Sequence, residues 1–442
     1  MANQLIPVAC LLILFLVNLK RKRRLFCVSS IVLFYNLLAM AGAVHMYFEP
    51  RTGVSFSSFE AMAFFSLCYS LFCLPALFYR DGCLCEEGAS AFTSEDGARL
   101  LLLSRLVAGF TFVSFCYFFV DSIPELKRFV TEGLSRKDYR DTVEMSHFAS
   151  PVVAIFAVGG TLSFVSLYLG IVILCFMPAH RLLAMMALLG GLTYAVNMIK
   201  NAGRAGTFEA LLFASSAVMV LWPRLKAESR ARVVRLLRPL LLAVMIPFAL
   251  ITLTRFGSGG EERGVFYSIE SYFATGPYSF NADYVARTEL GTPSVDGFIT
   301  CSFIPLSLDR VLGTTLYEEG QENLEDYSEG LPEYLEICGA YSGEFKTIVG
   351  SFLLDWRPGV VMSVFIALSL FFSWLFSRNS GTLSFTVLAS VYFYCLLIGS
   401  IGFGFPSRYR NLILVNLLIL AFVLRCIGRT GHVQPAEQTG RG

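Results

Sequence analysis

Several stretches of this chain continue for 18 residues or more without one charged side chain. A helix needs about 20 residues to cross the hydrocarbon core of a bilayer, so runs of this length predict membrane-spanning helices. Only 15% of the residues are charged and 55% are hydrophobic, which excludes an ordinary soluble globular domain. We therefore expect an all-α polytopic membrane protein in contact with the lipid bilayer.

About eleven apolar runs have the length of a span, and together they predict one transmembrane domain over residues 1–442. The fifth and ninth runs are longer than a span requires, so they are expected to tilt or to continue as helix beyond the membrane. The runs lie at residues 4–19, 25–47, 56–79, 100–120, 148–177, 181–200, 206–222, 235–254, 348–376, 382–402 and 409–427.

Lysine and arginine residues set the expected orientation, because cytoplasmic loops are enriched in them. Five basic residues follow the first run, from Lys20 to Arg24, and six more lie in the segment WPRLKAESRARVVRLLRP. With eleven spans both segments fall on one side, which is expected to be the cytoplasm and to hold the C-terminus as well. The first run has its basic residues after it, which favours a retained helix with its N-terminus outside over a cleaved signal peptide.

A large extracytoplasmic loop is expected between Phe256 and Phe345, residues 256–345. It contains sixteen acidic residues against three arginines, a net charge of −13. A segment this long is expected to fold over the outer mouth of the protein. Cys301 and Cys338 both lie in it and could form a disulfide if the compartment is oxidising.

The early part of this loop, YSIESYFATGPYSFNADYV, combines aromatic residues with carboxylates and amides. Aromatic rings can stack on the C–H faces of sugars while polar groups bind the hydroxyls, which would give Glu270, Tyr278 and Asp283 a role in substrate binding. The same composition is expected of a packed amphipathic helix, and the sequence leaves both interpretations open.

Four arginines are expected on the outer face, where the charge bias of membrane proteins disfavours them. They are Arg204, Arg255, Arg408 and Arg410. Arginines at such places can anchor helix ends at the interface. Three separate arginine-bearing segments on one face instead favour a site for an anionic lipid headgroup, since guanidinium groups fit phosphate through paired charged hydrogen bonds.

The sequence around Arg204 strengthens this hypothesis. Tyr194, Asn197, Asn201 and Arg204 are spaced by three and four residues, so they share one face if the helix continues that far. Lys200 lies beside them. The seventh span is expected to open just after Arg204, where the free amide groups of its first turn favour an anion.

Such a site suits sugar transfer from a polyprenyl diphosphate, because the departing diphosphate must be stabilised. The first outer loop has no D-x-D, the chain has no H-E-x-x-H and only four histidines occur, so we expect arginines rather than a metal, and no cofactor. A carboxylate would take the proton of the acceptor hydroxyl. Candidates are Glu344, Asp355, Glu270 and Asp283. No nucleic-acid partner is expected.

Four segments follow one another between residues 190 and 425: NAGRAGTFEALL, SYFATGPYSFN, YSGEFKTIVGSFLLDWRPGVV and FPSRYR. Their order and expected topology resemble those of the bacterial oligosaccharide repeat unit polymerases, the Wzy-type O-antigen polymerases. The chain departs from the family in one place. It reads Asp355-Trp356-Arg357-Pro358-Gly359 where Asp, aromatic, Gly is expected, which makes Arg357 a further candidate cation near the mouth.

The resemblance implies a GT-C-like inner-membrane fold with a large periplasmic loop. It implies transfer of a growing glycan from one undecaprenyl diphosphate onto the next lipid-linked repeat unit, without a metal. Arg204 with Arg408 or Arg410 would hold the diphosphate, and a chain-length regulator and a flippase are possible partners. The alternatives are an O-antigen ligase, a transporter or flippase of lipid-linked sugars, and a structural scaffold.

Overall fold

The computed structural model describes residues 2–23, 26–48, 58–79, 94–132, 151–200, 205–238, 347–377, 385–400 and 415–424. It also describes Leu242 and eleven residues between Gly276 and Glu322. Every regular element in this part of the chain is a helix. In chain order these are α1 (Leu5–Lys22), α2 (Val28–Phe48), α3 (Phe59–Cys73), α4 (Pro75–Phe78), α5 (Ser94–Glu132), α6 (Pro151–Thr161), α7 (Ser163–Phe176), α8 (Arg181–Gly190), α9 (Thr193–Lys200), α10 (Ala205–Leu221), α11 (227–238), α12 (Ile348–Asp355), α13 (Pro358–Ser377), α14 (Phe385–Gly399) and α15 (Val415–Leu424), with short 3₁₀ turns at Ala2–Gln4, Pro178–His180 and Trp222–Arg224.

Six helical segments are long and apolar enough to cross a membrane, and a seventh is obtained if the bent pair α6–α7 counts as one span. This number and length of apolar helices is that of a multi-pass membrane protein. The six segments are Val28–His45, Phe59–Phe78, Gly97–Pro124, Pro178–Met198, Gly206–Arg224 and Pro358–Ser377.

The difference from about eleven expected spans has identifiable sources. Helix α1 has 18 residues, but three of them are the basic residues of its last turn. Helices α14 and α15 have 15 and 10 described residues, which is shorter than a full span. The run expected at 235–254 lies largely outside the described residues, as does most of the loop 256–345.

The chain packs as two compact units that are interleaved in sequence. The first contains α1–α4, α12, α13 and the part of α14 from Tyr392 onwards. The second contains α5–α11, the beginning of α14, and α15. Membrane-length helices occur in both, so the expectation of a single transmembrane domain stays a prediction.

Aromatic side chains form the centre of the first unit. Phe72 of α3 meets Phe365 of α13 edge-on, with ring centroids 5.9 Å apart, and Phe393 of α14 lies 4.9 Å from Phe372. Rings of this size bury the largest apolar area per residue, and offset or edge-to-face contacts add to that stabilisation. Helix α13 is thereby fixed against α3 and α4.

The basic end of α1 contacts the end of the α3–α4 segment. Lys22 Nζ donates a hydrogen bond to the carbonyl oxygen of Tyr79, and the Arg21 guanidinium lies 4.9 Å from the ring centroid of Phe78. A cation is stabilising here because the last carbonyl groups of a helix carry partial negative charge.

Close backbone contact between helices characterises the second unit. An added Cβ at Gly190 of α8 would lie 2.9 Å from the Phe112 amide nitrogen in α5, and one at Gly191 would lie 2.9 Å from the Leu167 amide nitrogen in α7. Only glycine permits such approaches. Gly190 and Gly191 therefore serve helix packing.

Three of the expected spans differ in the structure from the single straight helices that their sequence predicted: one is divided, one is bent and one is longer. The run 348–376 is divided at Trp356 and Arg357 into α12 and α13. The run 148–177 is bent by 54° between Thr161 and Ser163. The run 100–120 belongs to a helix that continues to Glu132, past Pro124, which indicates that helical structure extends into the segment expected to be a loop.

Candidate functional site

Most of the predicted site residues lie outside the described residues. Lys200 is the last residue of α9, but only its backbone is described, whereas Asp355 is described in full. The convergence of the arginines therefore stays a prediction. The residues outside the described part are Asn201, Arg204, Arg255, Glu270, Tyr278, Asp283, Glu344, Arg408 and Arg410.

The structure does define the frame around Arg204. The last described residue of α9 is Lys200 and the first described residue of α10 is Ala205, and Arg204 lies between them, outside the described residues. A place for Arg204 at the start of α10 stays a prediction. The two helices approach closely, because a Cβ at Gly206 would lie 2.8 Å from Met198 Cγ and 3.2 Å from Tyr194 Cε1. The first turn of any helix offers amide groups without intrahelical acceptors, which suits an anion beside Arg204.

The expected polar stripe leading to Arg204 begins with a packing residue. Tyr194 is buried, and its ring meets Phe164 edge-on at 6.3 Å between centroids. Its amide nitrogen donates a hydrogen bond to Ser163 Oγ at 3.0 Å. Asn197, one turn further, is half-buried. The stripe is thus held against α7 at Tyr194 before it reaches the arginine.

The bend between α6 and α7 is held from a second direction by α15. Asn416 Nδ2 donates to the Thr161 carbonyl oxygen and to Thr161 Oγ1, both at 3.0 Å. Thr161 Oγ1 in turn donates to the Val158 carbonyl oxygen at 2.8 Å. Asn416 lies six residues after Arg410, which limits their Cα separation to about 20 Å. The bend therefore anchors the helix that follows the last arginine motif.

A polar network continues from this bend into α5 and α8. Ser166 Oγ donates to the Ala187 carbonyl oxygen and shares a hydrogen bond with Thr111 Oγ1, both at 2.8 Å. Thr193 Oγ1 lies 3.0 Å from the Thr111 carbonyl oxygen. Single Ser and Thr residues in apolar helices carry no sequence pattern that would have indicated this network, which links helices that already lie close together.

Asp355 lies at the end of the short helix α12 and is fully buried. Helix α12 is fixed at its start, where Thr347 Oγ accepts a hydrogen bond from the Gly350 amide and the Ile348 amide donates to the Ser400 carbonyl oxygen at 2.9 Å. An acid at a helix C-terminus is disfavoured by the helix dipole, and burial of a carboxylate adds a desolvation cost. A buried ionisable residue next to a membrane-length helix is a candidate for the site, so Asp355 stays a predicted site residue.

The chain turns sharply directly after Asp355. The rings of Phe352 in α12 and Phe365 in α13 are 5.5 Å apart between centroids. Two collinear helices would separate these residues by about 20 Å, so α12 and α13 meet at a sharp bend. Arg357, in the two-residue connection, is exposed. The turn therefore places a buried acid and an exposed cation two residues apart.

Ser351 was not predicted as a site residue, although its spacing from Asp355 provided a signal. It lies four residues before Asp355, so both side chains fall on one face of α12. Ser351 is fully buried, and its hydroxyl has no hydrogen-bond partner within the described residues. A hydroxyl and a carboxyl group thus share the buried face of this helix.

The aromatic stretch of the large loop packs against α3. Phe280 is fully buried, with its ring 4.9 Å from that of Phe65, and Asn281 Oδ1 accepts a hydrogen bond from the Ser58 amide at 2.8 Å. Tyr284 lies 5.5 Å from Phe64. These described residues pack against α3, and a sugar-binding role for Glu270, Tyr278 and Asp283, which lie outside the described residues, stays a prediction.

Metal ligands and disulfides can be assessed only for part of the chain. Where the structure describes His, Cys, Asp and Glu side chains, no three of them are close enough to hold a metal ion. Cys301 and Cys338 lie outside the described residues, so their pairing stays a prediction.

Comparisons of the chain with protein-family models, with curated proteins and with solved structures find no match. The relation to the repeat unit polymerases thus remains a resemblance of four motifs and their order.

Proposed function

We propose that the protein polymerises undecaprenyl-diphosphate-linked oligosaccharide repeat units at the outer face of a bacterial inner membrane. The observation that carries this proposal is the buried Asp355, at a sharp bend before a membrane-length helix, within the segment that resembles the polymerases. In this proposal the N-terminus lies outside, the C-terminus is cytoplasmic, and the fold belongs to the O-antigen polymerase type.

The proposed reaction is a displacement at the anomeric carbon of the donor glycan. The acceptor hydroxyl forms a new C–O bond to that carbon as the bond between the carbon and the diphosphate oxygen breaks. The diphosphate leaves with the electron pair, and Asp355 or Glu344 takes the hydroxyl proton. Arg204 with Arg408 or Arg410 stabilises the charge that develops on the diphosphate, with Arg255 as a further contributor.

The accessory roles follow from the same proposal. Lys200 and Asn201 flank Arg204 and would contact the phosphate groups. Glu270, Tyr278 and Asp283 would contact the sugars. No metal or cofactor is part of the proposed reaction, and a chain-length regulator and a flippase are its proposed partners.

A transporter of lipid-linked sugars is the alternative favoured by a specific observation, the bent span α6–α7 and the interrupted α8–α9. Broken helices in transporters offer backbone carbonyl groups to ions or substrate. At the bend described here the Thr161 carbonyl oxygen accepts from Asn416, and the Ser163 hydroxyl accepts from Tyr194. Occupied polar groups of this kind favour a structural role for the bend.

The decisive experiment is elongation by purified protein in liposomes, with a lipid-linked repeat unit from the source organism and a chelator present. A ladder of products is expected. Transfer of the glycan to added lipid A core, without a ladder, would instead identify a ligase. Movement of the lipid-linked sugar across the bilayer without either product would identify a transporter.

Two substitutions test the arginine site directly. Arg204→Ala and Arg408→Ala are each expected to abolish elongation while the amount of protein in the membrane stays near that of the wild type. Arg238→Ala is the matched control, because it removes an exposed arginine of α11 at the opposite end of the Gly206–Arg224 span. Full elongation by both outer-face variants would contradict the diphosphate site.

A further inference from the structure

The segment that follows α10 concentrates positive charge at one end of a membrane-length helix. Between Trp222 and Arg238 the chain has six basic residues and one acid, Glu228. The preceding span runs from Gly206 to Arg224, so this basic segment lies at the end of the span opposite to Arg204. It is therefore separate from the site proposed above.

This basic segment has a defined local structure. Arg230 of α11 turns back onto the 3₁₀ turn Trp222–Arg224, where its Nε donates to the Trp222 carbonyl oxygen at 3.2 Å. Its guanidinium also lies 5.6 Å from the Trp222 ring centroid, within the range of a cation–π contact. These two contacts hold the start of α11 against the end of the span.

Two buried polar groups near this end have no hydrogen-bond partner within the described residues. Arg232 is half-buried, and its Nη1 atom has neither solvent exposure nor an acceptor. The hydroxyl of Tyr168 in α7 is likewise buried without a partner, and the Arg224 charge lies within electrostatic range of it. Placing a charged donor in such surroundings is costly, so an anion at the exposed face of the guanidinium would stabilise it.

We propose that this basic segment binds the phosphate group of an anionic lipid headgroup, with Arg232 as the central contact. A lipid is the ligand that the surroundings favour, because exposed apolar residues accompany the arginines. Val234 of α11 and Leu242 are 52% and 54% exposed. A helix with both features lies at the membrane surface, inserting its apolar side chains while its cations attract anionic headgroups.

The first measurement uses the full-length protein in a neutral detergent and follows its thermal unfolding midpoint. Added phosphatidylglycerol is expected to raise the midpoint by about 3 °C, because a ligand bound to the folded state stabilises it. Phosphatidylcholine at the same concentration is expected to leave it unchanged. Inorganic phosphate forms the third arm, and an equal rise with phosphate alone would overturn the assignment to a lipid.

The second measurement compares Arg232→Gln with Arg238→Gln. Both remove one positive charge from α11, but Arg238 is exposed. Native mass spectrometry is expected to show at least a twofold loss of retained phosphatidylglycerol for Arg232→Gln and little change for Arg238→Gln. Equal retention by the two variants would overturn the proposal.

Arg232→Lys provides a further check in case the glutamine variant unfolds. It keeps the charge but loses the planar pair of donors, so intermediate retention is expected. Retention equal to that of the wild type would show that charge alone is recognised, and would overturn the role given to the Arg232 guanidinium. None of these measurements uses a sugar substrate, so their outcome is independent of the polymerase proposal.

Discussion

Two long apolar runs are interrupted in this molecule, and the two interruptions differ in chemistry. In α6–α7 the chain bends by 54°, and the polar groups at the bend bind Asn416 and Tyr194. Between α12 and α13 the chain turns sharply, and the residue before the turn is the fully buried Asp355. The polar groups described at the first interruption are backbone and hydroxyl groups, whereas the residue at the second is an ionisable carboxyl group buried at a helix end. The comparison indicates that a break in a membrane helix is not by itself evidence of a functional site. The residue types at the break are the better indication of a site.

The largest expected effect separates the two interruptions by activity. Asp355→Asn removes the proposed proton acceptor while keeping its size, and should lower the elongation rate by about 10²–10⁴-fold. Rates would be measured with purified protein in liposomes. Glu60→Gln is the matched control, because Glu60 is an exposed carboxylate in the first turn of α3 and should leave the rate unchanged. A normal rate for the Asp355 variant would remove the functional distinction between the two turns.

A smaller effect, on stability, is expected from the close packing around the bent span. Gly191→Ala would bring a methyl group within 2.9 Å of the Leu167 backbone in α7. The backbone of a packed helix cannot move aside as a flexible side chain could. The expected loss is about 2 kcal/mol in the free energy of unfolding, seen as a lower thermal midpoint. Gly109→Ala in α5 is the control, since nothing lies within 4 Å of its Cβ position. Equal midpoints for the two variants would show that this helix crossing is looser than described.

The smallest expected effect concerns the hydrogen bonds at the bend itself. Asn416→Ala removes the donor to the Thr161 carbonyl oxygen and should cost about 1 kcal/mol of stability. Thr161→Val keeps that carbonyl and loses only the hydroxyl, so a smaller change is expected. The double variant measures the coupling between the two side chains. Strictly additive losses would mean that Asn416 acts through the Thr161 carbonyl oxygen and not through the hydroxyl, and an unchanged stability of Asn416→Ala would contradict a stabilising role of this contact.

The sequence predicted the helices of this protein better than their interruptions. The ends of α2 and α10 lie within three residues of the expected limits, because charged and turn residues flank their apolar runs. The bend at Thr161 depends on Asn416, 255 residues away, and no local pattern encodes such a contact. The break at Trp356 and Arg357 had a local signal, since a residue before proline is disfavoured in helical conformation and Pro358 opens α13.

The candidate site was predictable only in part, for a related physical reason. Arginine expected on the outer face departs from a general charge bias, so single residues such as Arg204 are conspicuous in the sequence. The spacing of Ser351 from Asp355 predicts a shared helix face, but not that the face is buried, because burial depends on neighbours distant in sequence. Phe280 and Asn281 illustrate the converse, since a composition compatible with sugar binding serves packing against α3.

The contact between the end of α1 and the end of α4 has a consequence for biogenesis. Lys22 and Arg21 belong to the charge cluster that is expected to direct insertion of the first helix, and in the folded protein the same side chains contact Tyr79 and Phe78. The residues expected to orient the nascent chain therefore also join the end of α1 to the end of α4. Neutralising Arg21 and Lys22 would weaken this tertiary contact as well as the insertion signal. A topology assay on such a variant would therefore show two effects of one substitution, an inverted first helix and a destabilised protein that is degraded.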